Sequence, residues 1–222
     1  MSANPARHHF LISHIENEFL ARDDVTDRSH DINHARRVMH SALAIAAKEG
    51  GGNEEVIIAA AYLHDWINLP KNHPDRHLAS ALSADAARPI LKRIGFSPAN
   101  IDATAHAILT HSFSAGVQPE TIEAQALQDA DRLEALGAIG LARVFTVAGQ
   151  LGTELFCADD PFALHRRLDD RRYAVDHFAV KLLKLPETMQ TDAGRVEAEK
   201  RCIVLRSFLH SLAEELRSPM RW

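Results

Sequence analysis

The stretch N-E-E-V-I-I-A-A-A-Y-L-H-D-W-I-N, residues 53–68, decides how this 222-residue chain is read. Val56, Ile57, Ala60 and Leu63 carry an apolar run up to His64, which reads as a buried helix. Asn53 is placed to cap it, with Glu54 and Glu55 favourable in its first turn. The run ends on His64 and Asp65. An imidazole and a carboxylate at the end of an apolar helix are costly to bury unless something pairs with them. Both are good ligands for a divalent cation, so a metal ion is the simplest partner. Asn68-Leu69-Pro70 is expected to stop the helix, because Pro70 disfavours α backbone at the residue before it.

Helical spacing continues in both directions. Leu11, Ile15 and Phe19 form one stripe; Val38, Ala42 and Ile45 form another, closed by Gly50-Gly51-Gly52. Asp75 is expected to cap a helix reaching Ile94 and closed by Gly95. Ser97-Pro98 opens the next, with Ile101, Ala105 and Ile108, and Ser114-Ala115-Gly116 reads as a loop. Ala126, Leu127, Leu133 and Leu136 belong to a further helix, and Ile139 and Val144 to another. Pro161 and Pro186 punctuate the last third. The closing helix is expected to show Val204, Phe208 and Leu212 on one side, with Leu205, Leu209 and Leu216 nearby. There is no useful β-alternation, internal repeat, low-complexity tract or linker. The reading is all-α: one domain over residues 1–222, a helical bundle of roughly eight to ten helices.

Composition excludes several functions. Hydrophobic content of 46% supports a core, and 25% charged residues argues against wholesale disorder. A net charge of −5 argues against a nucleic-acid polymer as partner, which wants a basic face. No apolar run is long enough to span a membrane, and the N-terminus lacks the apolar segment of a signal peptide. Cys157 and Cys202 lie outside any C-x-x-C spacing and read as reduced thiols, so the expected location is cytoplasmic. Homo-oligomerisation stays open; apolar residues near Trp222 fit an interface or a frayed tail. His8 and His9 read as a solvated pair at a helix start.

Two further residues join the His64-Asp65 pair as candidate ligands: His34, in H-D-I-N-H-A-R-R-V (residues 30–38), and Asp131, in Q-D-A-D-R-L-E-A-L-G-A (residues 128–138). Separately each has a bland explanation: a polar residue on a helix face, or a surface pair of Asp131 with Arg132. Together, with 29 residues between the histidines and 65 between the aspartates, they favour a metal centre built from side chains on several helices. Two histidines and two carboxylates suit one divalent cation, with Mn²⁺, Fe²⁺, Co²⁺, Ni²⁺, Zn²⁺ and Mg²⁺ all compatible. Such an ion polarises phosphoryl oxygens and activates water.

The pattern H…HD…D resembles the HD-domain metal-dependent phosphohydrolases. Residues 30–38, L-H-D-W-I-N-L-P-K-N-H-P (63–74), A-I-L-T-H-S-F-S-A (107–115), Q-D-A-D-R-L-E-A-L-G-A-I-G-L-A-R-V-F (128–145) and H-F-A-V-K-L-L-K-L-P-E-T-M-Q-T (177–191) are similar to the small bacterial YedJ-like branch. The A-D-R-L match selects Asp131 over Asp129 as the fourth ligand. The resemblance implies an all-helical HD fold, a bound divalent cation and hydrolysis of nucleotides, including triphosphates to monophosphate and pyrophosphate. Several HD enzymes carry an acid three positions after the HD aspartate, where this chain has Asn68, and an amide cannot take a proton from water. Asp65 remains the catalytic carboxylate, and Asp129 is the first candidate for the base. The alternative for Asp129 is an acceptor that orients a ligand histidine.

Phosphoryl transfer needs positive charge near the developing oxyanions. Lys71, His73 and Arg76 follow the HD pair directly and are candidate phosphate contacts, against the alternative of an ordinary polar loop. Arg37, Lys181 and His111 complete the candidate substrate contacts, with His106 as readily a structural histidine. Gly50-Gly51-Gly52 lacks the Lys-Ser/Thr of a P-loop. Two functions follow. One is a metal-dependent phosphohydrolase acting on a nucleotide or another small phosphoester. The other, motivated by Asn68, is a non-catalytic metal- and nucleotide-binding regulatory module.

Overall fold

The structure is a computed structural model that describes residues 5–21, 31–69, 73–112 and 116–222. Among the described residues there are nine α-helices: α1 (Pro5–Leu20), α2 (Ile32–Lys48), α3 (Glu54–Leu63), α4 (Ala79–Arg93), α5 (Pro98–Thr110), α6 (Ile122–Leu133), α7 (Gly137–Leu151), α8 (Asp176–Val180) and α9 (Asp192–Leu216). Short 3₁₀ segments cover Arg76–Leu78 and Leu182–Thr188. The all-α expectation holds; the sole extended pairing among these residues is an isolated bridge between Glu154 and Tyr173. The chain forms two compact units, Met1–Asp131 and Arg132–Trp222.

In the N-terminal unit α3 is the central element. Every residue from Val56 to Leu63 is buried, and the helix packs against α1, α2, α4 and α5. Each fully buried Val, Ile or Leu contributes about 1.5–3 kcal/mol of transfer free energy, so this helix is held by packing rather than by propensity. Its start follows the sequence: the Asn53 side chain accepts from Val56 N. The stripes on α1 and α2 are buried as expected, and Ser97 caps α5 by accepting from Asn100 N.

Two local expectations need correction. Asp75 makes no side-chain cap; a 3₁₀ turn intervenes and α4 begins at Ala79. Helix α3 ends at Leu63, several residues before Pro70. There the His64 ring donates from Nδ1 to Ala61 O at 2.8 Å, taking the carbonyl a continuing helix would offer to Asp65 N. Trp66 N turns back to Leu63 O, and Ile67 N is taken by Ser83 Oγ of α4 at 2.9 Å.

In the C-terminal unit α9 packs against α7 and the Leu182–Thr188 segment. Its buried face is Ala198, Cys202, Leu205 and Leu209, whereas Val204 is 42% exposed. The expected stripe was therefore centred one residue away. Phe208 reaches the protein interior by another route, an aromatic cluster with Phe145 and Phe178 at centroid separations of 5.4 and 5.9 Å. Trp222 is no frayed tail: its Nε1 donates to Phe162 O at 3.0 Å. The turn from α6 into α7 requires Gly140, where a Cβ would overlap the Ala135 carbonyl. Among the described residues no helix is long and apolar enough to cross a membrane, and both cysteines are free.

Candidate metal centre

Three helix ends bring the candidate ligands together. Asp31 caps α2 by accepting from His34 N at 2.9 Å, which puts His34 in the first turn of that helix. His64 follows the last residue of α3, and Asp131 lies near the end of α6. His34 and His64 are 1% exposed, whereas the Asp65 and Asp131 side chains keep 26% and 31% of their surface. The histidines thus form a buried floor and the carboxylates an accessible rim.

The donor atoms converge. His34 Nε2 lies 3.1 Å from His64 Nε2, 3.6 Å from Asp131 Oδ1 and 3.9 Å from Asp65 Oδ2. His64 Nε2 lies 3.4 Å from Asp65 Oδ2 and 3.8 Å from Asp131 Oδ1. Donors about 2.1 Å from a shared ion stand about 3.0–3.4 Å apart at right-angled or tetrahedral positions, and further apart when more widely opened. The observed spacings suit one small divalent cation. The chemistry fits too: two carboxylates facing two imidazoles form a site that calls for positive charge.

His111 enters the same cluster. It follows the end of α5 as His64 follows the end of α3, and its Nδ1 donates to Ile108 O at 2.6 Å. Since carbonyls only accept, both rings carry a proton on Nδ1, which leaves Nε2 of each neutral ring as a lone pair. His111 Nε2 sits 3.6 Å from Asp65 Oδ1, so Asp65 faces His64 with one oxygen and His111 with the other. Two groups among the described residues could hold a metal ion: His34, His64 and Asp131, and His64, Asp65 and His111. The sequence offered a signal for this overlooked place of His111, since A-A-Y-L-H and A-I-L-T-H each run an apolar helix into a histidine.

Charge within the cluster is tightly balanced. Burial pushes His64 towards the neutral form, but the Asp65 charge and hydrogen bond, with Asp131 and the Ala61 carbonyl, hold its pKa up at about 9. Burial opposes ionisation of Asp65, and the His64 charge with the His111 hydrogen bond outweighs it, holding this carboxyl well below the usual carboxylate range.

The remaining candidates divide. Asp129 is wholly buried, two residues before Asp131 and so about 200° around α6. Arg76 donates to the Leu69 carbonyl and, at 3.5 Å, to Asn68 Oδ1, clamping the segment after Asp65. His73 is exposed and accepts from Asp75 N at 3.1 Å. Arg37 is half-buried on α2, while neighbouring Arg36 binds Glu16 of α1 at 2.7 and 2.8 Å. His106 accepts from Glu120 N at 3.2 Å, a structural role. Lys181 is exposed in the C-terminal unit after α8. Lys71 lies outside the described residues. The sequence reading missed Glu16, which also accepts from Tyr62 OH at 2.6 Å and ties α1, α2 and α3 together.

Comparison with known proteins adds a family. The model of the HD domain matches residues 31–136, a span that contains His34, His64, Asp65, His111 and Asp131. The chain is 34% identical over 198 residues to the YpgQ protein of Bacillus subtilis (strain 168), covering 86% of this chain and 88% of that one. The crystal structure of Bacillus subtilis YpgQ in complex with ADP superposes with a TM-score of 0.69 and 30% identity, over 94% of this chain and 97% of the other. A crystal structure of an HD-superfamily hydrolase from Bacillus thuringiensis superposes with a TM-score of 0.71 and 27% identity, over 96% and 98% of the two chains.

Proposed function

The chain belongs to the HD-domain family, and on that premise we propose that it is a divalent-metal-dependent phosphohydrolase acting on a nucleotide or similar small phosphoester. The single observation carrying this reading is the convergence of His34, His64, Asp65 and Asp131, with the histidine nitrogens 3.1 Å apart. The ADP bound to the similar Bacillus subtilis protein supports a nucleotide as substrate class. When bound, the cation supplies Lewis-acid polarisation of a phosphoryl oxygen and eases deprotonation of water.

This chain's residues take the following roles. His34, His64, Asp65 and Asp131 hold the cation, with the Nδ1 hydrogen bond of His64 fixing its ring. Asp65 serves also as the catalytic carboxylate at the accessible rim. His111 contacts the substrate or the attacking water. The full burial of Asp129 suits an orienting acceptor better than a base exposed to water. Arg37, Lys71, His73 and Arg76 are the proposed phosphate contacts, Arg76 keeping its clamp on the segment after Asp65. The whole chain, residues 1–222, works as one HD-type domain, a reading supported by structural matches over 94–96% of its length, and its proposed location is the cytoplasm.

Incubation of the purified protein with Mn²⁺ and a panel of nucleotides tests this. Pyrophosphate and monophosphate released from triphosphates, and lost in Asp65→Ala, would establish a nucleotide pyrophosphohydrolase. The regulatory alternative keeps one observation in its favour, the amide of Asn68 at the position of an assisting acid. Bound nucleotide recovered intact after long incubation with Mn²⁺ would favour it.

A further inference from the structure

His34 and Asp131 stand on helices and take their direction from them. Asp65 does not, because it lies beyond Leu63, the last residue of α3. Its carboxylate nevertheless faces two ways, with Oδ2 3.4 Å from His64 Nε2 and Oδ1 3.6 Å from His111 Nε2. A turn holds a side chain to such geometry only if its backbone is tied. A displacement of about 1 Å at a site of this kind costs up to about a hundredfold in rate.

The tie comes from α4. Ser83 is wholly buried, and its Oγ accepts from Ile67 N at 2.9 Å and donates to Ile67 O at 3.3 Å. One hydroxyl thus uses its single proton and a lone pair on both polar backbone groups of one residue. That residue is two positions after Asp65. Before it, His64 Nδ1 is bonded to Ala61 O, and Trp66 N to Leu63 O at 3.1 Å. Asp65 is therefore held between two anchored points. The earlier one belongs to α3 itself, and the later one is a side chain from another helix.

We propose that Ser83 is a positioning residue of the metal centre: by gripping both backbone groups of Ile67 it sets the turn that aims Asp65 at the cation site and at His111. The inference rests on the metal-dependent reading above. Ser83 acts through the backbone rather than on the ion, and it gives α4, which carries none of the four proposed ligands, a share in the site.

Three variants test this. Ser83→Ala removes the hydroxyl, and Ser83→Thr keeps it. Ser80→Ala deletes a hydroxyl one turn earlier on the same helix, where Ser80 is also buried but its Oγ meets no hydrogen-bond partner. Four quantities are read: Mn²⁺ affinity by calorimetry, the electron paramagnetic resonance line shape of bound Mn²⁺, amide hydrogen exchange across residues 65–69, and kcat with KM. Ser83→Ala should lower Mn²⁺ affinity about ten- to hundredfold, change the line shape and speed the exchange. It should lower kcat more than it raises KM. Ser83→Thr and Ser80→Ala should stay within about threefold of the wild type in affinity and kcat. Wild-type affinity and line shape in Ser83→Ala would overturn the proposal, and so would equal losses in Ser83→Ala and Ser80→Ala. If Ser83→Ala does not fold, the wild type decides: coupling is reciprocal, so loading with Mn²⁺ must slow exchange across residues 65–69, and unchanged exchange refutes the proposal. A wild type that binds no Mn²⁺ would overturn this inference and the metal-dependent reading together. If it binds Mn²⁺ but hydrolyses no nucleotide, the hydrolytic reading fails separately, and affinity and line shape still decide the role of Ser83.

Discussion

His64 donates from Nδ1 to the Ala61 carbonyl, so the proton that keeps this ring charged up to about pH 9 in the cation-free protein sits on Nε2, the atom facing Asp65 and Asp131. A metal ion must displace that proton. Because the pKa is raised, competition is present at neutral pH and disappears above about 9. Mn²⁺ affinity should therefore fall as pH drops below that value, by up to about tenfold per unit for one proton. Calorimetry at pH 7 in buffers of different ionisation enthalpy should show about one proton released per ion bound. An affinity flat from pH 6 to 8.5 would contradict the assigned geometry. At this scale the His64-Asp65 pair was legible because two polar residues ended an apolar run. The shared use of Asp65 by His64 and His111 was not, since it depends on how α3 and α5 end in space rather than on residue spacing.

Helix ends carry the site, so capping chemistry should control it. Asp31→Ala removes the acceptor for His34 N and should cost about 0.5–2 kcal/mol in denaturant unfolding. Mn²⁺ affinity should fall with it, because the cap sets the turn that presents His34; Asp31→Asn should recover most of both. Equal stability of Asp31→Ala and wild type would show that the cap is irrelevant. In the first turn of α7, Gly140→Ala forces a Cβ into the Ala135 carbonyl and should destabilise by about 1–3 kcal/mol, read as a lower denaturant midpoint. The starts of α3 and α5 were readable because Asn53 and Ser97 announce themselves as caps. The end of α3 was not readable. Pro70 is the obvious stop in the sequence, but the His64 ring and Ser83 of α4 stop the helix earlier, and those are tertiary contacts. The buried face of α9 was misplaced for a related reason: apolar residues occur on both sides of that helix, and packing on α7 selects Leu205 and Leu209 over Val204.

At the scale of the whole molecule the all-α class was plain from recurring helical spacing and the lack of alternation, whereas the division into two compact units was not. Its boundary falls at Asp131 and Arg132, inside α6, where no Pro, Gly or charge run interrupts the sequence. All four proposed ligands belong to the first unit, so cation binding should stabilise that unit by mass action. At a hundredfold excess over Kd the gain is about 2.7 kcal/mol, equivalent to roughly 5–10 °C in Tm for a chain of this size. A chelator should remove the shift, and Asp65→Ala should never show it. The most direct test of the central claim is anomalous X-ray diffraction at the manganese edge from crystals of the Mn²⁺-loaded protein. One peak enclosed by His34 Nε2, His64 Nε2 and the carboxylates of Asp65 and Asp131 is the predicted result. A Mn²⁺-loaded crystal with no peak there, or with the ion held by other residues, would contradict it.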